Sequence, residues 1–156
     1  MNQEEVSKAN KLYDEGSMSK LYDFIKPFLD KDDPYAFSFY SRFSLSEWNE
    51  SDEENDARYV DCLAKAAEGN VPEAMYRLST LYSVGDIVQL NIEKGKHYME
   101  SALKLGYSPA KLTLGLYLFY GANGYQKDLG RAAELINQAE DDNVEGADEA
   151  LKLLEE

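Results

Sequence analysis

Cysteine and histidine are nearly missing from this chain: Cys62 and His97 stand alone among 156 residues. A single cysteine excludes an internal disulfide and a cysteine-built zinc cage. Basic residues are scarce beside acidic ones. Sixteen Lys and Arg face 30 Asp and Glu, so the formal charge is 16 − 30 = −14. Such a surface repels phosphate, which argues against sequence-independent nucleic-acid binding. It also disfavours an anionic membrane surface and suits a basic protein partner. Long apolar runs are absent too. The longest, Leu112 to Tyr120, has nine residues, whereas a membrane-spanning helix needs about 20. The start, Met1 to Glu5, lacks the basic and apolar segments of a secretory signal. Together these absences lead to a cytoplasmic expectation.

What is present suits a folded domain. Apolar residues make up 44% of the chain, too many for a disordered one. The length fits a single domain, 1–156, that builds its core without cross-links. Cys62 lies within DCLAKAA and reads as an inert, buried or half-buried helical thiol. A reactive cysteine needs a basic or helix-start environment.

The chain repeats itself. EAMYRLSTLYSVGD and PAKLTLGLYLFYGA align on Ala74 and Ala110, an offset of 110 − 74 = 36 residues. They share Leu at +4 (Leu78, Leu114) and a small residue at +5 (Ser79, Gly115). Apolar or aromatic residues follow at +7 and +8, and Gly at +11 (Gly85, Gly121). The register extends back to Ala36, with Tyr40 and Phe43, and forward to Ala147, with Leu151 and Leu154. Ala66, Ala102 and Ala139 precede three of the anchors by eight residues. After each comes a helix-stopping signal: Gly69-Asn70, Gly106 and Asn143.

Each period therefore predicts two helices. Positions 0, +4, +7 and +8 share one side, and the small residues admit a close partner. First helices are expected at 72–84 and 109–120, second helices at 91–105 and 128–141. The segment 3–30 reads as a divergent hairpin turning at Gly16, its second helix kinked or shortened by Pro27. Glu47 to Asp56 reads as an acidic, flexible connection that starts the next helix. Residues from Val144 onward begin a new repeat without a partner helix and serve as a cap.

These residues resemble the Sel1-like repeat, a relative of the tetratricopeptide repeat. KAAEGNVPEAMYRLSTLYSVG (Lys65 to Gly85) matches best. YSPAKLTLGLYLFYGANGYQKDLGRAAELINQAE (Tyr107 to Glu140) is second. The likeness is strong over 57–147 and weak over 1–56, with 148–156 as the cap. It departs at Lys94-Gly95, where the family usually has alanine after the basic residue. The resemblance implies an all-α, right-handed α-solenoid of about four helical hairpins plus a C-terminal capping helix. It also implies a protein- or peptide-binding role and supplies no catalytic residues.

Motifs for chemistry are lacking. No phosphate loop, GxGxxG or HExxH occurs. His97 has Lys94, Lys96 and Glu100 as neighbours and reads as a solvated surface residue. The acidic run from Asp52 fails as a calcium loop: Ala57 and Leu63 stand where an EF-hand requires Gly and Glu. No enzyme activity, cofactor or metal is expected.

Charge is unevenly spread. Glu47 to Asp56 holds six acids and no base, and Glu140 to Glu156 holds eight acids and Lys152. Ala74 to Arg131 holds seven bases and four acids, giving 7 − 4 = +3. The acids Asp52, Glu53, Glu54 and Asp56 are candidates for steering a basic partner. The second candidate lies opposite the core stripe, at +2, +6 and +9, which cluster about half a turn away. There stand Tyr76, Thr80 and Ser83 in one repeat and Leu112, Leu116 and Phe119 in the next. Arg42 supplies polar recognition beside them. Aromatics and arginine are common interface anchors, and exposed apolar patches mark interaction sites. A folded-back terminal helix or self-association would cover the same patch. The expected function is non-catalytic protein binding. Small acidic proteins of this type resemble bacterial immunity proteins, which neutralise a toxin by tight binding, so a basic toxin domain is the sharper expectation. The alternative is a general scaffold or adaptor.

Overall fold

A computed structural model describes residues 1–155 as nine α-helices and one short 3₁₀ turn, with no strand among the described residues. The chain divides into two compact units, Met1–Met75 and Tyr76–Glu156.

The first unit opens with α1 (Gln3–Asp14) and α2 (Met18–Leu29). Asn2 caps α1 reciprocally with Glu5: the Asn2 side chain accepts from the Glu5 amide, and the Glu5 carboxylate accepts from the Asn2 amide. The α2 helix continues two residues past Pro27, so the proline does not end it there. After α3 (Pro34–Ser41) and a 3₁₀ turn at Ser46–Trp48 comes α4 (Asp52–Glu68). The core joins Ala9, Leu21, Ile25, Ala36, Phe39 and Phe43, with Trp48, Tyr22 and Tyr40 packed at its side. Trp48 meets the Tyr22 ring edge-on at 5.0 Å and the Tyr40 ring at 5.5 Å. A Cβ on Gly69 would overlap the Pro34 ring, so the end of α4 closes tightly on the start of α3.

One expectation changes here. The acidic stretch is not a flexible linker up to Asp56. Ser51 accepts from the Glu54 amide at 3.2 Å, and the Glu54 carboxylate accepts from the Ser51 amide at 2.8 Å. This capping box starts α4 at Asp52, and the dipole favours acids in that first turn.

The helix α5 (Pro72–Val84) carries the boundary between the units. The second unit continues with α6 (Ile92–Lys104), α7 (Ser108–Tyr120), α8 (Leu129–Asp141) and α9 (Ala147–Glu155). All four predicted repeat helices appear within about a residue of their expected ends. The anchors Ala74, Ala110 and Ala147 are fully buried, as are Ala66, Ala102 and Ala139.

The helix stops are built alike. The amides of Val71, Tyr107 and Val144 donate to the carbonyls of Ala66, Ala102 and Ala139. Between donor and acceptor, Asn70, Gly106 and Asn143 adopt left-handed backbones at φ of 61°, 78° and 57°. This six-to-one closure is why Asn or Gly stands at each stop. The first unit repeats it: Ser17 donates to Leu12 across Gly16, and Asp33 donates to Phe28 across Asp32. The α9 helix packs on α8 and α7.

Candidate protein-recognition surfaces

In the first unit, Asp52, Glu53 and Glu54 are exposed and Asp56 is half-buried, all in the first two turns of α4. Glu54 also closes the cap, so one of the four acids is structural. The neighbouring Glu50 is held by Arg58. Its carboxylate accepts from Arg58 Nε at 2.6 Å and Nη2 at 2.9 Å, and from the Ser44 hydroxyl at 2.9 Å. Arg58 also donates to the Tyr40 carbonyl at 2.6 Å and lies over the Tyr40 and Trp48 rings. The Arg58 hydrogen bonds, then that of Ser44, hold the Glu50 carboxyl below its ordinary range.

Arg42 does not offer itself for recognition. Its side chain is 11% exposed and ion-paired with Glu73. Its guanidinium lies 5.2 Å from the Tyr13 ring centroid and 5.0 Å from that of Phe39. The sequence pattern placed it on an outer face, but an ionised partner and two rings turn it inward. Cys62 is buried, and desolvation pushes its thiol up to about 11.

In the second unit, Leu112, Leu116 and Phe119 are each half-buried. The chain entering α9 comes close to the first of them: a Cβ on Gly146 would stand 3.9 Å from Leu112 Cδ2. Phe119 meets Tyr120 edge-on at 4.9 Å. Tyr76 and Thr113 share a hydroxyl–hydroxyl hydrogen bond of 3.0 Å, and the Tyr76 ring lies 5.3 Å from that of Tyr107. Thr80, half-buried, donates to the Arg77 carbonyl at 2.8 Å. Ser83 departs from its expected outer position. It is buried, and a Cβ on Gly95 would overlap its hydroxyl. A repeat helix packs on more than one side, so half a turn from the main stripe is not always solvent. His97 is exposed.

A second feature of this unit was not picked out in the sequence. Lys96, Lys127 and Arg131 line a cleft of about 710 Å³ with Tyr125 and Leu129. The base excess over 74–131 was its signal, but the convergence depends on how the 121–128 connection folds. Among the described residues, no cluster of His, Cys, Asp and Glu could hold a metal ion. None of the described helices is long and apolar enough to cross a membrane.

Comparison with known proteins follows the same boundaries. The Sel1 repeat model matches residues 72–107 and 108–143. Residues 72–143 carry two Sel1 repeats. Similar solved structures include a Sel1 repeat protein from Oxalobacter formigenes, with a TM-score of 0.61 and 22% identity, covering 81% of this chain and 36% of that one. A protective antigen of uropathogenic Escherichia coli with an SLR fold gives a TM-score of 0.63 and 20% identity, covering 78% and 26%. Helicobacter pylori cysteine rich protein B gives 0.60 and 19%, covering 84% and 92%. The chain thus spans about a third of the first of these structures and a quarter of the second. At such identities the likeness is one of fold. No curated protein matches the chain. The Sel1 fold here closes its helix pairs with alanine and glycine contacts, and its one cysteine is buried and unpaired.

Proposed function

We propose that this chain is a non-catalytic protein-recognition module, and that the α7 row Leu112, Leu116 and Phe119 forms part of the contact surface. The observation that carries this reading is the partial exposure of that row. Leu114 and Leu118 on the same helix are 0% and 4% exposed, so the helix turns its best-buried side to the core and leaves this row partly open. Partly exposed apolar residues in a row offer a partner a contact surface. Tyr76 and Thr80 on α5 belong to the same proposed surface.

The sharper reading is a bacterial immunity protein bound to a basic toxin domain. The net charge of −14 and the exposed acids Asp52 and Glu53 support it. The test is affinity capture from the native host, washed at about 0.1 M and about 1 M salt. One stoichiometric basic partner, weakened by salt, supports toxin neutralisation. One that survives high salt and is lost with Leu116→Asp supports the apolar row without the steering. Many substoichiometric partners would favour a scaffold instead, a reading that exposed Val84, Leu90 and Tyr120 also suit.

A further inference from the structure

The chain is acidic, yet one concave feature of the second unit is cationic. Lys96 comes from α6, Lys127 from the connection after α7, and Arg131 from the first turn of α8. Gly124 lets the connection settle on α6: at φ 78° it stands where a Cβ would overlap Ile92. The Tyr125 ring lies 5.2 Å from the Lys96 ammonium. Leu129, 50% exposed, gives the cleft an apolar wall.

The cations are only loosely neutralised. Lys96 stands 4.0 Å from an exposed Glu93 carboxylate, the outer limit of an ion pair. Arg131 reaches Glu100 at 3.3 Å, with both side chains 43% exposed. Lys127 pairs with no carboxylate among the described residues, and its ammonium sits 5.7 Å from the Phe119 ring centroid. Asp128 also lines the cleft, but its carboxylate accepts from the Arg131 amide at 3.0 Å as the α8 cap. Exposed pairs of this kind contribute little and exchange readily.

We propose that this cleft docks an acidic peptide segment of a protein partner, its carboxylates taken by Lys127 and Arg131 and an apolar side chain laid against Leu129. Charge complementarity selects the carboxylate. The field of a −14 chain weakens the hold on every anion, so docking rests on the local cations together with Leu129, which a segment mixing acids with apolar side chains engages and a lone phosphate ester does not. The same field disfavours a second copy, although its own segment 140–156 is acidic. The inference goes beyond the proposed function, since it holds for a toxin or for any other partner.

The test uses the full chain and a fluorescein-labelled octapeptide of alternating glutamate and leucine, read by fluorescence polarisation at low salt. A glutamine-for-glutamate peptide and a phosphoserine peptide serve as comparisons. The glutamate peptide should bind saturably and the glutamine peptide should not. Lys127→Glu and Arg131→Glu should each weaken binding about tenfold or more, with Lys127→Gln between. Lys104→Glu, an exposed change away from the cleft, should leave it unaltered. Circular dichroism melts confirm that the variants fold. Absence of saturable binding, equal binding to the charge-reversed variants, or binding of the phosphoserine peptide alone would overturn the proposal. So would self-association abolished by Lys127→Glu without peptide binding, which gives the cleft to a second copy.

Discussion

Gly95 on α6 and Ser79 on α5 approach so closely that a Cβ on the glycine would stand 3.1 Å from the serine carbonyl oxygen. In the next repeat the small residues are exchanged. Gly115 is now on the first helix, and its Cβ would stand 3.3 Å from the Ala132 carbonyl oxygen on the second. The glycine at Lys94-Gly95, a departure from the family pattern, is thus matched by a larger residue opposite. Each pair keeps one glycine at its crossing.

Alanine at these positions should therefore destabilise, although alanine alone favours a helix over glycine by about 1 kcal/mol. Gly95→Ala should cost about 1–3 kcal/mol net, the usual range for overpacking. Its new methyl meets the backbone of both Ser79 and Ser83. Gly115→Ala should cost a similar amount, because its methyl would meet Cγ1 of the β-branched, fully buried Ile136 at 2.7 Å and the Ala132 carbonyl oxygen at 3.3 Å. Urea denaturation of the two variants measures both costs. Equal stability with wild type at both sites would show that the crossings are not tight.

Arg58 and Glu50 predict a pH dependence. Glu50 titrates below its ordinary value of 4.5 in the folded chain. A depressed folded pKa gives stability that is complete above the unfolded pKa and is lost as pH falls through the folded one. The denaturation midpoint should drop on acidification below about pH 5, and Glu50→Gln should flatten that drop while costing about 1–3 kcal/mol at neutral pH. Denaturation series at neutral and acid pH measure both. A slope unchanged in Glu50→Gln would assign the effect to other carboxylates.

The sequence was most readable where one residue type had one physical task. Alanine at the crossings and Gly or Asn at the stops located the four repeat helices almost to the residue. It was least readable where a side chain could turn either way. Arg42 lay on a plausible outer face, but Glu73 and the Tyr13 and Phe39 rings claim it. Ser83 lay half a turn from the core stripe, but Gly95 makes room for it inside. The acids from Asp52 looked like linker because charge density hides a helix whose start depends on the Ser51–Glu54 cap. The cationic cleft has no local motif, since its three cations come from three segments.

Cys62 should behave as a probe of unfolding. Burial pushes its thiol up to about 11, so little thiolate forms near neutral pH and little solvent reaches it. Labelling by a thiol-reactive dye at pH 8 should be slow in the native chain and fast in denaturant. Prompt stoichiometric labelling without denaturant would show that α4 opens readily against the first-unit core.

The acidic face of α4 can be tested without breaking its helix. Glu54 closes the cap with Ser51 and should be spared, since Ser51→Ala alone is expected to cost about 1 kcal/mol. Asp52→Asn, Glu53→Gln and Asp56→Asn together remove three charges with no capping hydrogen bond lost. The triple variant should lose only the dipole contribution, roughly 0.3–1 kcal/mol for each acid nearest the helix start. If these acids steer a basic partner, association should slow and its salt dependence should flatten, with dissociation little changed. Stopped-flow association at several salt concentrations separates the two rates. An unchanged association rate would take these acids out of the recognition surface and leave the α7 row to carry it.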